Sequence, residues 1–284
     1  MSTHLLTDHE LRLKSVAYRK TILSIIKQAN AGHTGGSLSC VDILNVLYNR
    51  VLRVSPETFN DPQRDRYIQS KGHSVEALFT VLADRGFFPT EELATLGRYQ
   101  SHLIGHPTRK VPGIEQNTGA LGHGLAIAAG VALAAKLDGL DYRAFTLLGD
   151  GELAEGSSWE SSMAAARYKL DNLVVIVDRN GLQITGPTEE VTGLEPLEEK
   201  FEAFGYAVRT VDGNDISQLL ARFEELPFEP GKPNLLLANT VKGCGVSFME
   251  NAVSWHHHVP TDAELELALQ ELNQAESALL EVAR

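Results

Sequence analysis

Cysteine is nearly absent: the chain has two, Cys40 and Cys244. Two such residues build neither a disulfide framework nor a cysteine-based metal site, and they fit a reducing compartment. Long apolar runs are also missing, so nothing approaches membrane-spanning length. The stretch from Met1 to Leu13 is polar and lacks the apolar core of a secretory signal. Positive charge is scarce, with 25 Lys and Arg against 37 Asp and Glu and a net charge of −12. That balance argues against nucleic acid and against an anionic membrane surface as partners. An anionic substrate stays open, because a local cluster of histidine and metal can offset the global field. There are no internal repeats, low-complexity tracts or obvious linkers. A cytoplasmic protein with one domain over residues 1–284 is expected.

The chemistry concentrates between Ala144 and Thr188. An apolar run, Ala144 to Leu148, ends in Gly149-Asp150-Gly151. A second, Leu173 to Val177, ends in Asp178-Arg179-Asn180-Gly181. Both have strand length and β-branched content. The Ala-rich segment between them, Glu152 to Lys169, has helical length, with Ser157 and Glu160 at capping-box spacing. The pattern predicts a right-handed βαβ unit of a parallel sheet. Ligands of such sheets sit beyond the carboxyl ends of the strands, where Asp150 and Asn180 both fall. A carboxylate and an amide oxygen suit Mg²⁺, which shares its oxygen ligands with phosphate and water. Gly149 and Gly151 allow a sharp turn and close approach to phosphate, and the following helix offers free N–H groups. A lone Gly-Asp-Gly is a turn; Asn180 at the end of the next strand is what makes it a candidate Mg²⁺–diphosphate site.

Elsewhere, Leu11–Ala29 carries a helical apolar stripe that stops at Asn30-Ala31-Gly32-His33-Thr34-Gly35-Gly36, read as a loop. Ser37–Leu52 and Val75–Arg85 read as helices, and Tyr67–Ser70 as a short extended run. Thr118 to Gly124 is a second glycine-rich loop. It opens a helix of small residues, Ala126–Ala135, suited to close packing in the core or across a subunit interface. After the βαβ unit, strand and helix alternate to Thr240. A final helix, Thr261–Val282, has a capping box at Thr261 and Glu264 and an apolar face of Leu265, Leu269, Leu272, Ala275 and Leu279. The sum is a doubly wound α/β domain, a parallel sheet with helices on both faces, an irregular N-terminal third and a C-terminal helix.

Histidines recur in the loops: His33, His73, His102, His106 and His123, then His256 to His258. A pocket lined by several imidazoles could bind a polyol phosphate and move its protons. Zinc binding through His256 and His258 is a rival reading, but no His-Glu-x-x-His constellation completes a hydrolytic site.

In order, the chain contains Ala-Gly-His33-Thr-Gly-Gly, Ser-Lys-Gly-His73, Gly-His106-Pro, Thr-Gly119-Ala-Leu121-Gly, Gly-Asp150-Gly-Glu-Leu-Ala-Glu155-Gly, Asp-Arg-Asn180-Gly and Trp-His256. This series resembles the N-terminal, diphosphate-binding half of transketolases over nearly the whole length. The resemblance implies a thiamine diphosphate-binding fold. It implies Mg²⁺ held by Asp150, Asn180 and the Leu182 carbonyl, with the diphosphate met by His73, Gly151 and His256. It places Gly119, Ala120 and Leu121 against the cofactor, with Leu121 and Ile184 flanking the thiazolium ring. His33, His106 and His256 would face the sugar and share proton transfers, and Glu155 and Glu160 would lie in an acid network at a subunit interface. Thr34 stands where the family usually has Pro, Gly36 where Ala is common, and His123 where Gln is frequent.

The pyrimidine-binding domain of full-length transketolases has no counterpart in this sequence. The chain therefore resembles the N-terminal subunit of a split transketolase. The implied partner is a separate C-terminal subunit, in a heterotetramer with two copies of each chain. The implied reaction moves a two-carbon ketol unit from a ketose phosphate to an aldose. A subunit like deoxyxylulose phosphate synthase, or like the alpha chain of a 2-oxo acid dehydrogenase, is the neighbouring reading. The Gly-His-Pro loop and Trp-His256 favour transketolase over both. A non-catalytic cofactor-binding module is the alternative outside enzymes.

Overall fold

The sheet is built from strands whose residues alternate between two cores, as a parallel sheet covered on both faces requires. In the computed structural model, which describes residues 5–282, the five long strands are β1 (Arg66–Gln69), β2 (Ala144–Gly149), β3 (Leu173–Arg179), β6 (Ala207–Asp212) and β7 (Asn234–Asn239). Residues 1–4, part of the polar stretch read as lacking a signal core, and residues 283–284 lie outside the described residues. The order across the sheet is β1-β2-β3-β7-β6, every pair parallel. Phe145, Leu147, Val174 and Ile176 enter one core; Ala144, Leu148, Leu173, Val175 and Val177 enter the other.

The first core is closed by α1 (Asp8–Ala29), α2 (Thr34–Val46), α3 (Val75–Asp84), α8 (Ile216–Glu224) and α9 (Asp262–Val282). The second is closed by α4 (Gly124–Asp138), α5 (Gly156–Arg167) and α7 (Leu197–Phe204). A two-residue hairpin, β4 (Leu182–Gln183) with β5 (Gly186–Pro187), and a single turn, α6 (Thr188–Val191), follow β3. Among the described residues no helix is long and apolar enough to cross a membrane, and both cysteines are free.

Several expectations need correction. The N-terminal third is regular: α1, α2 and α3 fill it, and β1 is an edge strand of the main sheet. The Gly35-Gly36 pair opens α2 instead of extending the loop. A Cβ on Gly35 would meet the Trp255 carbonyl at 2.9 Å, and one on Gly36 would meet Ser74 Oγ at 2.9 Å. Close approach, and not a turn, is what these two glycines permit. The segment after β2 breaks into a 3₁₀ turn, Gly151–Ala154, and then α5. Ser157 does not cap α5; its hydroxyl donates to the Gly122 carbonyl at 2.8 Å. The capping box at Thr261 and Glu264 forms, but α9 buries Ala268, and Ala275 is exposed.

One buried ion pair ties the carboxyl ends of the strands together. Lys71, just past β1, bonds Asp178 near the end of β3, and also donates to the Gly36 carbonyl at 3.1 Å. Asp178 further accepts from Ser39 Oγ at 2.6 Å, from Asn180 Nδ2 at 3.3 Å and from Thr240 Oγ1. Both charged side chains are shut off from water, Lys71 at 1% exposure and Asp178 at 0%. Burial disfavours each charge, yet each is held ionised by the other: the lysine pKa sits above its ordinary value and the aspartate below. Asp178→Asn would leave the ammonium buried and unpaired, and we expect a loss of about 3–5 kcal/mol. Lys71→Met should cost less, because Asp178 keeps its three other donors. Urea unfolding at pH 7 checks the order; an equal or reversed cost contradicts it.

Candidate active site

Because the sheet is wholly parallel, every strand delivers its following loop to one edge. β1 delivers Lys71 and His73, β2 Asp150 and Gly151, β3 Asn180 and Leu182, and β7 Lys242. The α1–α2 junction adds His33, two loops add His106 and the Gly119–Leu121 turn, and the 3₁₀ turn Val253–His256 adds His256. Together they line a cavity of about 470 Å³.

The predicted metal ligands lie in this cavity, and each keeps bonding capacity. Asp150 is 2% exposed and accepts from Gly151 N at 2.7 Å, Gly181 N at 2.6 Å and Arg179 Nη1 at 3.1 Å. A carboxylate offers about four acceptor sites, so one is left. Asn180 Oδ1 accepts one bond, from Leu182 N at 3.1 Å. The Leu182 carbonyl accepts one, from Lys242 Nζ at 3.0 Å. Each has a second lone pair. Three neutral-to-anionic oxygens with open positions suit a hard cation. Burial and the nearby Asp178 raise the Asp150 pKa, against the N–H bonds and Arg179; an added cation would reverse that. Among the described residues no group of three or more His, Cys, Asp or Glu is placed to hold a metal ion. The two histidines of the zinc reading are engaged by different groups: the His256 ring goes to Lys242 at 2.8 Å, and the His258 ring goes to Trp255 and Glu264.

The anion-binding end is built around two lysines. Lys71 and Lys242 both line the cavity, and neither was singled out from the sequence. Each follows a strand directly, and that position was the signal available. Burial and the neighbouring Lys71 pull the Lys242 pKa down to about 8, partly offset by Asp150 and Asp178. Gly151 sits where a Cβ would press on Gln183 at 3.1 Å. Among the described residues, buried Ser74 Oγ and Thr118 Oγ1 have no hydrogen-bond partner, though neither residue lines the cavity. Glu152, also missed, accepts from Gly122 N at 2.8 Å and Gly149 N at 3.1 Å, and from Ser70 Oγ, so it pins the two glycine turns together. The residues present therefore fit a diphosphate with a bound cation.

The remaining candidates divide. His33, His73, His106, His256, Gly119, Leu121 and Ile184 line the cavity, with Ile184 at the open rim and 70% exposed. Gly119 takes φ +142° beside the His106 ring, a backbone state that favours glycine. Ala120, Glu155 and Glu160 do not line it; all three are exposed. His123 is exposed, its Nδ1 3.0 Å from the Leu121 carbonyl, and His102 faces Glu92 at 3.0 Å outside the cavity.

The imidazoles are packed ring to ring. The His33 centroid lies 5.1 Å from His73, 5.8 Å from His256 and 6.4 Å from His106. Burial first, then the charges of neighbouring imidazoles and lysines, penalises the imidazolium form. The pKa falls to about 4 for His33, about 2 for His73 and about 3 for His256. These rings are neutral at pH 7. An ammonium only donates, so His256 Nδ1 accepts from Lys242 and Nε2 carries the proton. We expect long-range ¹H–¹⁵N spectra of the chain to show these three rings unprotonated from pH 8 down to pH 5, with His256 as the Nε2–H tautomer. A titration of any of them near pH 6.5 would contradict this electrostatic picture.

This geometry has clear relatives. Residues 13–279 match the family model described as transketolase, thiamine diphosphate binding domain. A protein of Phocaeicola vulgatus, named as a subunit of an apulose-4-phosphate transketolase, is 48% identical over 264 residues, covering 93% of this chain and 94% of that one. The 6-deoxy-6-sulfo-D-fructose transketolase subunit SqwG of a Clostridium species is 40% identical, over 93% of this chain and 97% of that one. A Pichia stipitis transketolase solved with xylulose 5-phosphate superposes with a TM-score of 0.87 at 25% identity, over 95% of this chain. The chain spans 44% of that solved protein, less than half its length. A match of this extent, to a family whose solved members share this fold, means that the chain belongs to the transketolase family, in its thiamine diphosphate-binding domain.

Proposed function

We propose that this chain is the diphosphate- and metal-binding subunit of a two-part transketolase, one domain over its whole length. It works with a separate C-terminal subunit, two copies of each, in the cytoplasm. It moves a two-carbon ketol unit from a ketose phosphate to an aldose, using thiamine diphosphate and Mg²⁺. The observation that carries the reading is the convergence of Asp150, Asn180 and the Leu182 carbonyl, each with an open acceptor position, beside Lys71, Lys242 and His73 in one cavity. Relatives named as transketolase subunits, covered almost end to end, support the division of labour.

In this reading Asp150, Asn180 and the Leu182 carbonyl hold Mg²⁺. Lys242, His73, His256 and the backbone at Gly151 meet the phosphate oxygens. Thiamine diphosphate, when bound, supplies the centre that carries the two-carbon unit between substrates. Leu121 and Ile184 give its ring an apolar setting, and Gly119 and Ala120 bring the backbone close. His33, His106 and His256, neutral at working pH, each donate to or accept from substrate hydroxyls and pass protons there. Glu155 and Glu160, exposed on this chain, meet the partner surface. The names of the relatives point to unusual phosphorylated or sulfonated sugars for those proteins, so the donor is a ketose carrying a strong anion.

Purification of the untagged chain from its source, with its partner, followed by assay on ketose phosphates with aldose acceptors, tests the reading. A stoichiometric partner and two-carbon transfer are expected. Asp150→Asn should weaken Mg²⁺-dependent cofactor affinity about tenfold or more, measured by calorimetry on the complex. Asp150→Ala should do the same and also cost about 1–3 kcal/mol of stability, since it strands the part-buried N–H groups of Gly151 and Gly181. Full activity of the chain alone, or unchanged cofactor affinity in Asp150→Asn, would overturn the assignment.

A further inference from the structure

Two sequence features have no part in the site so far: Thr34, where the family usually has Pro, and the histidine run beyond His256. The structure joins them. Thr34 is fully buried in the first turn of α2, and its Oγ1 donates to the His258 carbonyl at 2.6 Å. Proline could not make this bond. The same loop presses on α2 at Gly35, where any Cβ would meet the Trp255 carbonyl. On either side of His257 the rings are engaged, His256 by Lys242 and His258 by Trp255, 4.4 Å between ring centroids. His257 is thereby held between two fixed residues.

Its ring lies 4.6 Å from that of His33, edge to face at 68°, nearer than His73, His106 or His256. His33 is half-buried and lines the cavity; His257 is exposed and does not. The rings of His73, His33 and His257 thus step from the buried end, beside the lysines, outward to the solvent. In the reading above, the diphosphate and its attached ring take the inner part of this cavity of about 470 Å³, and the sugar phosphate meets His33 and extends past it. Its outer part then passes His257, whose imidazole can both donate to and accept from a hydroxyl.

We propose that His257 is a specificity-determining residue of the sugar site, hydrogen-bonding a hydroxyl on the outward part of the ketose phosphate, and that Thr34 is the positioning residue that holds it there. This rests on the two-carbon transfer reading above.

The test uses the complex with its partner subunit, loaded with Mg²⁺ and thiamine diphosphate, and steady-state kinetics over a panel of ketose phosphates. His257→Ala should lower kcat/KM about five- to tenfold for the best donor, carried mainly by KM, the size of one lost hydrogen bond. Thr34→Val, close in shape, should reproduce the rise in KM, and Thr34→Ser should restore it. The double variant should be no worse than His257→Ala alone, since one acts through the other. Unchanged KM for every donor in His257→Ala overturns the contact. A normal KM in Thr34→Val, or losses that add in the double variant, overturns the positioning role. A wild-type complex without two-carbon transfer on any ketose phosphate overturns the parent reading and this inference with it. That failure is told apart by appearing before any substitution.

Discussion

The buried pair of Lys71 and Asp178 is the constraint on which the rest of the site depends. Removing two charges from water costs several kcal/mol per ion, and mutual attraction repays it only with good geometry and further hydrogen bonds. Here the further bonds come from Ser39 of α2, from Thr240 after β7, from Asn180 after β3 and from the Gly36 carbonyl. A hydrophobic pair could fill the same space, but it could not tie α2 to the ends of β1, β3 and β7 at once. The polar pair fixes where the strand ends stop, and so where Asp150, Asn180, His73 and Lys242 stand.

The cavity departs from the charge of the whole molecule. The chain carries a net −12, yet in the cavity lining two lysines offset the carboxylates of Asp150 and Glu152, beside a set of imidazoles. Packed rings and two ammonium groups could not all be charged in so small a volume. The outcome is division: Lys71 is neutralised by Asp178, Lys242 is pulled toward neutrality, and the histidines are uncharged. Neutral imidazoles keep both donor and acceptor character, which a sugar with many hydroxyls can use. A metal–diphosphate ligand would supply the anion that Lys242 lacks.

Much of this was legible before the structure. The β2–α5–β3 unit announced itself through two apolar runs of strand length, and Asp150 and Asn180 followed from the rule that ligands sit at strand ends. The capping box of α9 was visible because its partners are local. What stayed hidden was tertiary. Ser157 has capping spacing, but its hydroxyl is taken by Gly122 across the turn, and no local pattern records that. Lys71 and Lys242 read as ordinary loop lysines because burial is not written in their neighbours. Gly35 and Gly36 read as a loop, though they start a helix that another segment approaches closely. Thr34 looked like a simple departure from a family pattern, and its partner, His258, is 224 residues away.

The central claim is that Asp150, Asn180 and the Leu182 carbonyl form the cation site of a bound diphosphate. The most direct measurement is a crystal structure of the complex grown with Mn²⁺ and thiamine diphosphate, with anomalous scattering recorded for manganese. The account predicts one peak within coordination distance of those three oxygens and beside the diphosphate. A peak among the imidazoles of His33, His73 and His256, or a diphosphate bound away from Asp150, would contradict it.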